Sequence, residues 1–237
     1  MKALIFAAGK GTRLKPFTNH HPKALALVNG IPLLERNIKY LQSFGINDFV
    51  INIHHFGEQI IDFLEKNNNF GSHIEISDER NELLETGGGL VFAKQFLDSE
   101  KDFIIMNADI LTDLNLNDLI KYHQEKKDFV TLAVSDRVSS RKLLFNGELI
   151  LRGWVNVQTG EQRLAEFNAG FKPLAFSGIH CVSGEIFRKI KRTGKFSIME
   201  EYLDMMQTEK IYGFEHQSIL IDVGRPESVI EAEKIFK

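Results

Sequence analysis

Residues 2–16 read Lys-Ala-Leu-Ile-Phe-Ala-Ala-Gly-Lys-Gly-Thr-Arg-Leu-Lys-Pro. The run from Lys2 to Ala7 has the continuous apolar character of a strand covered on both faces, and a glycine turn follows it directly. Glycine carries no Cβ, so backbone N–H groups in such a turn can point inward and approach phosphate oxygens. Ala8, Gly9, Gly11 and Thr12 therefore form a candidate phosphate-binding turn, the part that a bound nucleotide would occupy. Arg13 can fork two phosphate oxygens, and Lys23, after Pro22, adds a compact positive charge. Lys10 and Lys15 read as solvated. No Gly-Lys-Ser/Thr follows at Walker spacing, and the third glycine of the dinucleotide fingerprint is absent after Gly9-x-Gly11.

Downstream, apolar runs alternate with segments of helical period. Strands are expected at 48–54, 73–77, 103–107 and 129–134, and helices at 32–44, at 60–64, opening at 89–97, and at 116–126. This alternation predicts an α/β fold, a doubly wound and mostly parallel sheet with helices on both faces. Such sheets bind ligands at the carboxyl ends of their strands. After Ser135 the pattern changes. Residues 143–157 read as an antiparallel hairpin turning at Asn146-Gly147, and short strands at 176–182, 211–214 and 219–222 alternate with helical stretches. The expectation is one domain over 1–237, with a nucleotide-binding half to about 135 and a hairpin or lid layer beyond.

Composition excludes several classes. The chain has 237 residues, a net charge of -3 and 26 % charged residues. The near-neutral balance argues against nucleic-acid binding, which needs a basic surface. There is no apolar run of about 18 residues, so no membrane partner is expected. The N-terminal apolar run is too short for a signal peptide. The lone Cys181 fits a reducing, cytoplasmic setting as a small buried hydrophobe. Monomer and homo-oligomer give the same hydrophobic pattern.

Three further segments carry chemistry. Glu85-Thr86-Gly87-Gly88-Gly89 reads either as a flexible turn or as close backbone approach before a helix N-terminus. Asn107-Ala108-Asp109 ends a predicted strand, where a carboxylate can reach a cleft; Asp222 ends another. Each Asp alone reads equally as a turn residue.

The string Ala7-Ala8-Gly9-x-Gly11-Thr12-Arg13-x-x-Pro16-x-Thr18, then Pro22-Lys23-x-Leu25, resembles the signature of the sugar-1-phosphate nucleotidyltransferases. The likeness is greatest to short N-acetylmuramate-1-phosphate uridylyltransferases and mannose-1-phosphate guanylyltransferase-like members. It implies a Rossmann-like, GT-A-like fold and transfer of a nucleotidyl group from a nucleoside triphosphate to a sugar-1-phosphate. It also implies Mg²⁺ held by Asp109 and Asp222, nucleotide contacts from Glu85, Thr86, Gly87 and Gly88, and catalytic charge from Arg13 and Lys23. Glu85 departs from the family's Leu-Gly-Thr, and Glu79 or Arg80 could help to read the base. Asn107 and the segment Ser177-Gly178-Ile179-His180 resemble the sugar side, with His180 either lining it or packed in a strand. The family's Glu-Lys-Pro sugar clamp is matched only by Glu166 and Lys172-Pro173, badly spaced. Arg137, Arg141 and Lys142 could reach a polyphosphate from a flap, or decorate an exposed hairpin. UTP with an amino-sugar phosphate is the favoured pair. GTP with mannose or heptose phosphate, CTP with phosphocholine, and a catalytically silent nucleotide-sugar sensor are the alternatives.

Overall fold

The computed structural model describes residues 1–166 and 170–237. Its strands are β1 (Lys2–Phe6), β2 (Leu27–Val28), β3 (Ile31–Pro32), β4 (Asp48–Ile53), β5 (His73–Asp78), β6 (Asp102–Asn107), β7 (Ile110–Thr112), β8 (Val130–Ser135), β9 (Arg141–Phe145), β10 (Leu151–Asn156), β11 (Gln162–Leu164), β12 (Lys172–Ser183), β13 (Tyr212–Glu215) and β14 (Leu220–Asp222). The helices are α1 (Leu33–Ser43), α2 (Gly57–Lys66), α3 (Glu85–Phe92), α4 (Lys94–Leu97), α5 (Leu116–Lys126), α6 (Ile186–Lys189), α7 (Ile198–Met205) and α8 (Pro226–Ile235).

The fold is α/β, as the alternation predicts. β5, β4, β1 and β6 lie side by side and parallel. β8 runs in the same direction as β6 but is not its neighbour. β12 lies between them, antiparallel to both, and β13 adds parallel to the far side of β8. The first residues of β12, Lys172 to Leu174, leave this arrangement and pair with β9, which continues into β10 and β11 as the expected antiparallel layer.

Side chains alternate across β1. Ala3 and Ile5 pack with Ile38, Leu41, Ile60 and Leu119 from α1, α2 and α5, whereas Leu4 packs with Leu90, Ile198 and Tyr202 from α3 and α7. Period-two alternation feeding two apolar layers is what a doubly wound sheet requires. A third cluster joins Leu14, Val28, Leu111, Val223 and Ala232, tying the segment after the glycine turn to α8. Cys181 is free and buried. No helix among the described residues is long and apolar enough to cross a membrane.

Because β1, β4, β6 and β8 share one direction, their carboxyl ends open on one edge. The glycine turn, Asp109 and Arg137 all follow those ends.

Candidate active site

The glycine turn is braced from below. The N–H groups of Ala7 and Ala8 both donate to Oδ1 of Asn52, at 2.6 and 3.3 Å. Asn52, near the end of β4, is buried and donates through Nδ2 to Glu79 Oε1 at 2.8 Å. The other oxygen of Glu79 accepts the Leu84 N–H at 3.3 Å. A buried hydrogen-bonded chain thus links the turn to α3. Burial pushes the Glu79 carboxyl up, against the lowering effect of these hydrogen bonds. Glu79 therefore faces the interior rather than a base, and Arg80 is engaged with Asp78 and Glu58. With the Ala8 amide engaged, the exposed part of the turn is Gly9 to Arg13. Gly11 has φ +59°, and a Cβ there would lie 2.8 Å from Thr18 and 2.9 Å from the Cβ of Lys23. Its bare Cα is what lets Lys23 close against the turn.

Long-range pairing brings the two aspartates together. β14 is antiparallel to β7, placing Asp222 opposite Ile110, and the Val223 N–H donates to the Asp109 carbonyl at 2.8 Å. The Lys23 ammonium donates to Asp109 Oδ2 and lies 3.8 Å from Asp222 Oδ1. Arg13 Nη2 is 3.9 Å from Asp222 Oδ2. Desolvation and then the charge of Asp109 push the Asp222 carboxyl up, while Lys23, Arg13 and Arg137 hold it back. Two adjacent carboxylates, one of them pushed up by burial and by the charge of the other, are a fitting donor set for a hard divalent cation. Magnesium commonly takes one or two carboxylates and completes its shell with water and phosphate oxygens.

The second glycine segment differs from expectation. The structure starts α3 at Glu85, so Gly87 to Gly89 lie inside the helix rather than before it. The N–H groups of Gly87 and Gly88 donate to the Phe196 carbonyl at 2.9 and 3.3 Å, and Thr86 Oγ1 accepts the Ile198 N–H at 3.0 Å. A Cβ on Gly88 would collide with the Gly194 carbonyl oxygen. These residues pack α3 against the segment leading into α7, so in this conformation their amides are engaged by protein. Glu85 has φ +60°, a region natural to the glycine that the family resemblance places there. Its carboxylate is half exposed, 3.7 Å from Lys195.

On the opposite wall, Gly178 and Asn107 are adjacent: a Cβ on Gly178 would lie 3.1 Å from Asn107 Nδ2. His180 is not with them. It shares its side of β12 with Val182, within the cluster under α7, and is 2 % exposed. Its Nδ1 pairs with the Tyr202 hydroxyl at 3.0 Å, and burial pushes its pKa down to about 3. The sugar-side expectation for His180 is corrected accordingly: strand parity directs it into the core. Glu166 lies 3.8 Å from Arg152, and Lys172 pairs with Glu215 at 2.5 Å, so each is paired with a different residue. Arg137 lies outside the hairpin, half-buried, with Nη2 donating to the Phe176 carbonyl at 2.9 Å.

Asn52, Phe196 and the inward position of Arg137 escape motif reading. Asn52 does leave a trace, as a polar residue inside the otherwise apolar strand DFVINI. Nothing local marks the Phe196 carbonyl.

Residues 2–142 match the family described as "Nucleotidyl transferase". The N-acetylmuramate alpha-1-phosphate uridylyltransferase of Neisseria meningitidis serogroup B is 28 % identical over 236 residues, covering 99 % of this chain and 98 % of that protein. The mannose-1-phosphate guanyltransferase of Gibberella zeae is 27 % identical over 244 residues; the chain is matched completely but spans 64 % of that longer protein. The crystal structure of HddC from Yersinia pseudotuberculosis complexed with GMP-PN superposes with a TM-score of 0.81 at 25 % identity, covering 100 % of this chain and 99 % of that one.

Proposed function

The chain belongs to the nucleotidyl transferase family, and on that premise we propose that it joins a nucleoside triphosphate to a sugar-1-phosphate, giving a nucleoside diphosphate sugar and pyrophosphate. The observation that carries this reading is the Lys23 ammonium set between Asp109 and Asp222, with Arg13 alongside, at the mouth of the glycine turn. A phosphate oxygen of the acceptor attacks the α-phosphorus, a new P–O bond forms, and the bond to the β-phosphate oxygen breaks with its electrons leaving on pyrophosphate. The acceptor phosphate is already ionised near neutral pH, so no general base is needed. The protein's task is to position two anions and relieve their repulsion.

The turn from Gly9 to Arg13 holds the β- and γ-phosphates, with Arg13 as the fork. Lys23 balances charge where the two reactants meet. Asp109 and Asp222 would hold magnesium, which when bound supplies charge neutralisation to the reacting phosphates. Asn107 and Gly178 line the acceptor side, and Glu85 borders the nucleotide side.

UTP with an amino-sugar phosphate is the favoured pair, supported by full-length similarity to the uridylyltransferase. Similarity to the mannose-1-phosphate guanyltransferase, and to HddC solved with GMP-PN, supports GTP with mannose or heptose phosphate as the second reading. Pyrophosphate release from the purified protein, across four nucleoside triphosphates and a panel of sugar-1-phosphates plus phosphocholine, tests both. Turnover with one sugar-1-phosphate well above the rest is the expected result. Turnover with phosphocholine alone, or none with any pair, would sink the proposal, the latter in favour of a silent sensor.

A further inference from the structure

We infer that Arg137 binds the phosphate of the acceptor, acting on the sheet-side wall as Arg13 does on the glycine-turn wall. This rests on the nucleotidyl-transfer reading of the site but on different residues.

Arg137 follows the carboxyl end of β8, on the edge where the glycine turn and Asp109 also emerge. Two contacts fix it. Its Nη2 donates to the carbonyl of Phe176, directly before Ser177-Gly178, and its own carbonyl accepts from the Lys142 ammonium at 2.7 Å. The side chain is thus pinned near the wall formed by Gly178 and Asn107. Its Nε is buried and has no hydrogen-bond partner. A guanidinium stays charged at every working pH, so a buried donor of this kind is costly unless something accepts from it.

No protein carboxylate does so: among the described residues Arg137 has no acid within ion-pair distance. Burial pushes the Arg137 pKa down, and the charge of Asp222 partly offsets this from beyond ion-pair distance. Three cations of the neighbouring antiparallel layer are already engaged. Lys142 also pairs with Asp136 at 3.2 Å, Lys172 with Glu215, and Arg163 with Asp204. Arg13 lies against the turn that receives the triphosphate and Lys23 is held between the two aspartates, so the sheet side of the incoming monoester has no cation other than Arg137 assigned to it. A planar fork with free donors matches two phosphate oxygens.

The test measures steady-state kinetics of Arg137→Gln and Arg137→Lys with both substrates varied. Arg137→Gln should raise KM for the sugar-1-phosphate by about 10- to 100-fold and leave KM for the triphosphate within about threefold, with Arg137→Lys intermediate. The unchanged triphosphate KM certifies a folded site. A parallel rise in both constants, or an unchanged acceptor KM, overturns the inference in favour of a purely structural role. Calorimetric titration with glucose-1-phosphate, mannose-1-phosphate and N-acetylglucosamine-1-phosphate, beside saturating non-hydrolysable UTP or GTP analogues, separates this from failure of the transfer reading. Binding by the wild type that Arg137→Gln loses supports Arg137 even without turnover. Binding by neither protein, or equally by both, overturns it.

Discussion

Lys23 has only 12 % of its side chain exposed and, among the described residues, is the cation that reaches both aspartates, whereas Arg13 pairs with Asp222 alone. Lys23→Ala leaves two neighbouring carboxylates to repel each other and removes the charge where the reactants meet. The expected outcome is near-complete loss of pyrophosphate release in a protein that retains its circular dichroism spectrum. A wild-type rate would move the acceptor phosphate away from this residue. Asp109→Asn and Asp222→Asn keep size and polarity but remove charge, and each should reduce turnover by about 100-fold, the scale of a lost transition-state contact. Activity should also vanish on chelation with EDTA and return with added magnesium. Normal turnover in both variants would dismiss the metal assignment.

At the scale of elements, the site depends on two joints that are not themselves chemical. One is the end of β4, where Asn52 accepts from Ala7 and Ala8 and donates to Glu79. Asn52→Leu leaves two buried N–H groups without a partner and takes from the buried Glu79 carboxyl one of its two hydrogen bonds. It should cost about 3 kcal/mol in urea unfolding, since an orphaned buried polar group costs about 1–3 kcal/mol, and should raise KM for the triphosphate as the turn loosens. The other is the crossing of α3 with the 194–196 segment. Gly88→Ala drives a methyl group into the Gly194 carbonyl, where backbone meets backbone and neither side can rotate away. A loss of about 1–3 kcal/mol is expected, in the range of overpacked sites. Stability equal to wild type would mean that the crossing is looser than drawn.

At the scale of the whole molecule, β12 is the strand on which the architecture turns, since it pairs with β9 at its start and then lies between β8 and β6. It also carries a pH liability. His180 is held to a pKa of about 3 by burial, against 6.5 in the open chain. Below pH 6.5 the unfolded chain takes up a proton that the folded one refuses. The contribution of the neutral ring is therefore complete above pH 6.5 and is lost as pH falls toward 3. By pH 5 the loss is about 2 kcal/mol. His180→Gln keeps a partner for Tyr202 but does not titrate, so its stability should fall less steeply between pH 7 and pH 5 by about that amount. Parallel stability curves would show that His180 protonates in the folded state.

Much of this was legible without coordinates. The apolar run, the glycine turn and the period-two to period-3.6 alternation determine a strand, a phosphate-sized turn and an α/β class, because each is written in residues that neighbour one another. Arg13, Lys23, Asp109 and Asp222 could be picked out by type and position. Their meeting could not, for it depends on the β7–β14 pairing between residues more than a hundred positions apart. The same holds for the insertion of β12 between β6 and β8, the burial of His180 on the α7 side, and the capture of the Gly87 and Gly88 amides by Phe196. Strand order, strand parity against a distant helix and backbone hydrogen bonds to a remote carbonyl are decided by packing free energy summed over the assembled sheet, and no local period encodes that sum.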